Sequence, residues 1–190
     1  MKPRFSTLAG PAFGLLILAA TVPWTGGCDG FDLNWTAIED TISLYSLARP
    51  EYIDQPSAFD FYNRITVVVE QPTPGAASSF DLAFSEVDGA FVMLPAGLFA
   101  TFDINPGVMP ITTGETFEEL AVAPRDGYIT DEPVTLDEGG IYVVRTRRSR
   151  GGCNRYAKFE VLDLDPQGLV EFRQVRNSLC NDRELIPAED

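Results

Sequence analysis

Three cysteines, no histidine and very little lysine limit the chemistry that this chain can support. The cysteines are Cys28, Cys153 and Cys180, and the sequence contains 0 histidines. Without an imidazole, Ser-His-Asp and Cys-His nucleophilic sites and most zinc sites are excluded. Paired carboxylates can carry out glycoside hydrolysis, but among 28 acidic residues a chance pair is expected and no spacing stands out. The sequence therefore predicts a protein that is not an enzyme and holds no metal or other cofactor.

The one charge asymmetry is a group of arginines between residues 145 and 155. Guanidinium groups bind carboxylates and phosphates through paired hydrogen bonds. One interpretation is a loop that contacts an anionic partner, such as a lipid headgroup or the acidic residues of another protein. The alternative is a solvated loop that neutralises the acidic surface of its own domain. The group consists of Arg145, Arg147, Arg148, Arg150 and Arg155.

The N-terminus has the pattern of a secretory leader. Two basic residues precede an apolar stretch from Leu8 to Val22, which is shorter than the roughly 20 residues of a membrane-spanning helix. Thr25-Gly26-Gly27-Cys28 follows, and small residues before a cysteine resemble the lipobox of bacterial lipoproteins, although that family prefers Leu in place of Thr25. The resemblance implies cleavage before Cys28 and acyl chains on Cys28, which would give a stable membrane anchor. An ordinary leader followed by an unmodified cysteine is the alternative.

These expectations divide the chain into three parts. Residues 1–27 are the lipoprotein signal peptide, 28–36 a lipid-anchored tether and 37–190 a single β domain. The domain is expected in the cell envelope, outside the cytoplasm, on the periplasmic face or the cell surface.

Loss of Lys2 and Arg4 leaves 12 of the 14 basic residues against 28 acidic ones. Nucleic acid is therefore not an expected partner, because binding its phosphates needs a basic surface. The expected partners are the membrane, through lipid on Cys28, and an envelope protein or a small apolar ligand.

The two remaining cysteines predict a disulfide and its place in a hairpin. An even pair of cysteines in an exported chain is most simply a disulfide. Between them, Asp165-Pro166-Gln167-Gly168 matches a type I turn. A symmetric hairpin about that turn pairs Cys153 with Cys180, and it also pairs Glu160 with Arg173, whose charges are opposite. A single β-bulge would shift this register by one residue.

The rest of the sequence predicts an all-β fold. Short apolar runs, rich in β-branched and aromatic residues, alternate with Pro and Gly. This spacing predicts a single antiparallel sandwich or a strongly curved sheet with little helix. The best short helix candidate is Thr116–Ala121, because Glu118 and Glu119 suit a first turn. The predicted strands are Thr41–Leu47, Ile65–Val69, Phe80–Phe84, Ala90–Leu94, Leu98–Phe102 and Ile141–Thr146.

Four segments carry a family resemblance. Ile141–Thr146, Tyr156–Phe159 and Gly168–Phe172 resemble the C-terminal strands of HmuY-like haem-binding lipoproteins, in the same order. Phe80–Phe84 resembles a further strand of that family, with Phe80 in place of Trp. The resemblance implies an all-β, lipid-anchored surface domain. That family is associated with haem held by two axial histidines, which this chain lacks, so the fold and the location are carried over but haem binding is not.

The sequence as a whole predicts a non-enzymatic cell-envelope lipoprotein that acts as a binding or scaffolding module. The alternative is a HmuY-like carrier of haem or another apolar small molecule. Adding haem to the purified protein and recording the Soret band distinguishes the two, because only a carrier gives saturable binding.

Overall fold

Strands dominate residues 35–148 and 152–187, which are the part of the chain that the computed structural model describes. Strand makes up 41% and helix 7%, so the predicted all-β class is confirmed. The ten strands are β1 (Glu39–Tyr45), β2 (Pro56–Asp60), β3 (Ile65–Val68), β4 (Leu82–Val87), β5 (Ala90–Pro95), β6 (Gly107–Pro110), β7 (Val134–Thr135), β8 (Ile141–Arg145), β9 (Tyr156–Asp165) and β10 (Leu169–Arg176). A one-turn helix, α1, spans Pro74–Ala77.

The strands form two antiparallel sheets of five. The first sheet has the order β1-β10-β9-β8-β6 and the second β3-β2-β4-β5-β7. Alternate residues of each strand point inward, and the inner faces of both sheets share one core. Aromatic rings fill its middle: Phe59 and Phe61 from the second sheet pack edge to face at 4.7 Å, and the ring of Phe61 stacks on that of Phe172 from the first sheet. The result is the predicted antiparallel sandwich.

The outer face of each sheet is covered in part. Leu120, Ala123 and Leu185 pack on Val143 outside the first sheet. Outside the second sheet, α1 and the segment after β5 pack around Phe80. None of the helices among the described residues is long and apolar enough to cross a membrane.

The predicted strand Leu98–Phe102 is wrong. A 3-10 turn at Ala96–Leu98 bends the chain there, and the N–H groups of Phe99 and Ala100 donate to the carbonyl of Ala96. Gly97 permits the close approach of another segment to this turn, since a Cβ at this position would lie 2.4 Å from the carbonyl oxygen of Thr130. The apolar side chains of the run cover the second sheet, which is why their pattern resembled a buried strand.

The predicted helix Thr116–Ala121 is also wrong, because only one turn forms. The N–H of Glu119 donates to Thr116 Oγ1, while Glu119 Oε2 accepts from the N–H of Thr116. This reciprocal pair is a capping box, which starts a helix. Lys158 closes the turn from the other side, since its Nζ donates to the carbonyl oxygens of Phe117 and Leu120.

The β9–β10 hairpin has the predicted register at its open end and a shifted register at its turn. Arg173 pairs with Glu160 as predicted, and a bulge lies between Glu171 and Phe172. Beyond the bulge Leu169 pairs with Asp165, so the symmetric pairing of Asp165 with Gly168 is wrong. Gly168 has a φ of 90° and donates its N–H to the carbonyl of Asp165 at 2.8 Å. A type I turn followed by a residue of positive φ is a common three-residue hairpin loop, and it accounts for the shift.

Candidate functional site: the arginine-lined end of the sandwich

One end of the sandwich is closed by charged side chains instead of apolar ones. A first group, which we call the buried triad, consists of Asp60, Asp81 and Arg147. Asp60 ends β2, Asp81 directly precedes β4, and Arg147 follows β8 of the other sheet. Arg147 Nη1 and Nη2 lie 3.1 and 2.9 Å from the two Asp60 carboxylate oxygens. The side chain therefore makes a bidentate ion pair that ties the two sheets together.

Arg147 also binds the second aspartate of the triad. Its backbone N–H donates to Asp81 Oδ1 at 2.8 Å, and Nη1 lies 3.1 Å from the same oxygen. Asp60 is 2% exposed and Asp81 0%. Burial raises the pKa of Asp81 to about 6, against the opposing pull of Arg147. Two carboxylates share one guanidinium here, so the triad carries one excess negative charge when both are ionised.

A second group of arginines converges beside the triad on the carbonyl oxygen of Tyr62. Arg155 Nη1 donates to this oxygen at 2.7 Å, and Arg176 Nη1 donates to it as well. The guanidinium of Arg155 also lies over the Tyr62 ring, 4.2 Å from its centroid. Arg155 directly precedes β9 and Arg176 ends β10. Counting every second residue along each strand, both positions fall on the face that points into the core. The antiparallel pairing of β9 with β10 therefore places both at the same end of the inner face.

Arg64 completes this group from the second sheet. It lies in the β2–β3 turn with a φ of 61°, and its N–H donates to the carbonyl of Asp60 at 2.7 Å. Its Nη2 forms an ion pair with Asp40 of β1, whose Oδ2 also accepts from Gln174 Nε2 at 3.3 Å. We call the set of Arg64, Arg155, Arg176, Tyr62 and Asp40, together with the adjoining Gln174, the arginine mouth.

The arginine mouth has more hydrogen-bond donors than acceptors. The Nε atoms of Arg64, Arg155 and Arg176 are buried and have no hydrogen-bond partner among the described residues, and the same holds for the acceptor Gln174 Oε1. Burial and the neighbouring charges of Arg155 and Arg64 lower the pKa of Arg176 to about 10. Among the described residues, these three guanidinium groups make one ion pair, that of Arg64 with Asp40, in a chain whose formal net charge is −14.

The arginines that the sequence grouped together lie in different places. Arg145 stacks over Tyr128 at 4.9 Å, whereas Arg148 pairs through its backbone with Ile104. Arg147 belongs to the buried triad and Arg155 to the arginine mouth, while Arg150 lies outside the described residues. The contact of this group with an anionic partner stays a prediction. Of the five arginines, Arg147 and Arg155 are the two placed at the arginine-lined end of the sandwich.

Two arginines of the mouth, Arg64 and Arg176, were missed by sequence reasoning because they are distant from residues 145–155 in the chain. The predicted hairpin register could have identified Arg176 as a neighbour of Arg155. It pairs Arg176 with Ala157, two residues from Arg155 on the same face. Arg64 had no such signal, since its approach depends on the packing of one sheet against the other.

The predicted disulfide is present. Cys153 and Cys180 are bonded with their Cα atoms 5.4 Å apart, beyond the paired ends of β9 and β10. Cys28 and the predicted signal peptide lie outside the described residues, as do residues 28–34 of the predicted tether. Trp35, from the end of the predicted tether, packs against Phe117 and Val175 as part of the folded domain.

The described part of the chain offers less support for a small-molecule pocket or a metal site. Three surface grooves there have volumes of about 250, 280 and 210 Å³. The same residues contain no group of three or more His, Cys, Asp or Glu side chains arranged to hold a metal ion. The thioether of Met93, a side-chain type that can bind a metal, is fully buried in the sandwich core.

The fold and the site define an all-β sandwich with a disulfide across its terminal hairpin and a cationic group at one end. No protein-family model, no curated protein and no solved structure matches the chain. The resemblance to HmuY-like lipoproteins thus stays a prediction.

Proposed function

We propose that this protein is a non-enzymatic cell-envelope lipoprotein whose β sandwich is a binding module that works through its surface. Lipid on Cys28 holds the module at the membrane, and the arginine-lined end provides its contact with a partner. The observation that carries this proposal is the cationic group at the end of an otherwise acidic domain.

The packing of the core supports a surface function over ligand enclosure. Phenylalanine rings occupy the space between the sheets, and Phe59, Phe61, Phe84, Phe159 and Phe172 are each 0–1% exposed. The grooves described above are smaller than the roughly 300–1,000 Å³ of typical small-molecule sites. A carrier of haem would need a larger apolar cavity than these. Saturable growth of a Soret band on haem addition would nevertheless favour the carrier over the surface module.

The anchor is supported by the leader sequence and by the disulfide. The basic residues, the short apolar stretch and Gly26-Gly27-Cys28 fit a lipoprotein signal. The bond between Cys153 and Cys180 fits an oxidising compartment outside the cytosol. Together they account for all three cysteines, one lipidated and two bonded.

A fractionation experiment tests the anchor. Expressed in a bacterium that processes lipoproteins, the wild-type protein should sediment with membranes and enter the detergent phase. The Cys28→Ala variant should not acquire lipid or be cut at this position, so its leader should remain attached. A Ser178→Ala variant, changed at an exposed residue near the disulfide, should behave as the wild type. Wild-type protein that stays in the cytosol would contradict the proposal, and so would acylation of the Cys28→Ala variant.

A further inference from the structure

The geometry of the arginine mouth points to a binding site for a phosphate-type oxyanion, held by Arg64, Arg155 and Arg176. This inference gives a ligand class to the proposed binding module and rests on that proposed function. Its test does not depend on the lipid anchor, so the two can fail separately.

The unpaired donors are the first argument for an anion. A buried donor without an acceptor is destabilising, and the Nε atoms of three neighbouring arginines are all in this state. The protein acceptors of the three guanidinium groups, within the described ranges, are the Asp40 carboxylate and the carbonyl oxygens of Phe61 and Tyr62. Each guanidinium has five N–H donors, so most of the donors have no acceptor within the described part of the protein.

Charge is the second argument. Arg155 and Arg176 share one carbonyl oxygen, which holds two like charges close together, and neither side chain makes an ion pair with a carboxylate of the described residues. Counting the buried triad as well, four arginines face three aspartates, and one positive charge is left over. An anion bound between Arg155, Arg176 and Arg64 would neutralise this excess.

The number and arrangement of the groups favour a phosphate over a carboxylate. The three arginines come from the β2–β3 turn of one sheet and from the start of β9 and the end of β10 of the other, so together they offer more donors than the two oxygens of a carboxylate can accept. A carboxylate has two oxygens in one plane, whereas a phosphate group has three or more oxygens in a tetrahedral arrangement. Gln174 Oε1, a buried acceptor without a partner, suits the remaining O–H of a singly protonated phosphate. A carboxylate has no such donor when it is ionised.

Titration calorimetry on the full-length protein in a neutral detergent is the direct test. Inorganic phosphate and sulfate should bind saturably, with acetate binding at least about tenfold more weakly. Arg155→Gln and Arg176→Gln should each weaken phosphate binding about tenfold or more, because hydrogen bonds to charged groups contribute about 1.5–3 kcal/mol each. Arg125→Gln, at an exposed arginine, is the matched control and should bind as the wild type. Binding that is absent, equally strong for acetate, or unchanged in both mouth variants would overturn the inference.

The arginine variants need a check on folding, since both side chains contact the Tyr62 carbonyl. Arg155→Lys and Arg176→Lys keep the charge and a donor, so they should retain more phosphate affinity than the glutamine variants. If a glutamine variant does not fold, phosphorus NMR on the wild type replaces it. A line broadening of phosphate that sulfate reverses and acetate does not supports the site, and the absence of broadening overturns it.

Two sources of the phosphate group are distinguished by hydrogen exchange of the β2–β3 turn. The protein is placed in phosphatidylcholine vesicles, in vesicles of phosphatidylcholine and phosphatidic acid, or in phosphatidylcholine vesicles with glycerol phosphate added. Protection of the turn amides only with phosphatidic acid identifies a lipid headgroup. Protection by glycerol phosphate identifies a soluble phosphate ester. No protection in either arm would overturn the inference.

Discussion

Arg147 is the residue on which the closed end of the sandwich depends most. Its guanidinium and its backbone N–H satisfy two aspartates of the opposite sheet, both inaccessible to solvent. A buried ion pair contributes little net stability compared with an apolar replacement of the whole group. Removing one partner is costly, because a desolvated charge is left behind.

Replacing Arg147 with Met should therefore lower the free energy of unfolding by about 3–5 kcal/mol. Urea denaturation of the two proteins at neutral pH measures the difference. Arg125→Met, at an exposed arginine, should change it by no more than about 0.5 kcal/mol. A loss below about 1 kcal/mol for Arg147→Met would show that the triad is not a buried ion network.

Asp81 predicts a pH dependence of stability. Its pKa is raised by burial from 3.8 to about 6, so between these values the folded state binds the proton more tightly than the unfolded state. The contribution is favourable below about pH 4 and is lost as the pH rises through about 6. Between pH 4 and pH 7 the wild type should lose about 2 to 3 kcal/mol relative to Asp81→Asn, at about 1.4 kcal/mol per pKa step. Urea denaturation across this range measures the effect, and parallel pH profiles would contradict it.

At the scale of the elements, the β9–β10 hairpin and its disulfide hold the C-terminal part of the domain together. β10 lies between β1 and β9, so it pairs on both edges. The Cys153–Cys180 bond closes the chain just beyond its end. Arg155 directly precedes β9 and Arg176 is the last residue of β10, so both lie next to the bond and the disulfide also restrains the arginine mouth.

Loss of the disulfide should destabilise the protein by about 3–4 kcal/mol, because the bond closes a loop with a sequence separation of 27. The Cys153→Ser, Cys180→Ser double variant is compared with Ser178→Ala, an exposed change in the same loop. Thermal unfolding of both, with and without a reducing agent, measures the effect. If reduction lowers the stability of the double variant as much as that of the wild type, the assignment is wrong.

The hairpin shows how far local sequence patterns determine this fold. The turn residues and the opposite charges of Glu160 and Arg173 were enough to predict most of the register, because both act between near neighbours in the chain. The shifted register next to the turn at Gly168 could not be predicted in this way, because it depends on the conformation of the turn. Leu98–Phe102 and Thr116–Ala121 were misassigned for a common reason. Their apolar residues pack against sheets formed by distant segments, and that tertiary contact decides their conformation.

The same limit applies to the candidate site. Sequence reasoning found Arg147 and Arg155 because arginines are dense between residues 145 and 155. The partners of Arg147 are Asp60 and Asp81, which belong to the other sheet. Arg64 likewise reaches the mouth only when the two sheets pack together, so no local pattern could assign it.

At the scale of the whole molecule, the described domain has a filled core, sheets whose outer faces are partly covered, and a charged end. If the module binds through its surface, as proposed, its position relative to a membrane determines which partners it meets. The proposed function therefore depends on lipid attachment at Cys28, which would place the domain outside the cytosol and leave Cys153 and Cys180 to bond with each other.

Mass spectrometry of the N-terminus of protein isolated from native membranes tests this claim most directly. We expect a mature chain that begins at Cys28, with a diacylglyceryl group on the thiol and a mass higher by the attached acyl chains. A chain that retains residues 1–27, or one that begins at Cys28 with an unmodified thiol, would contradict it.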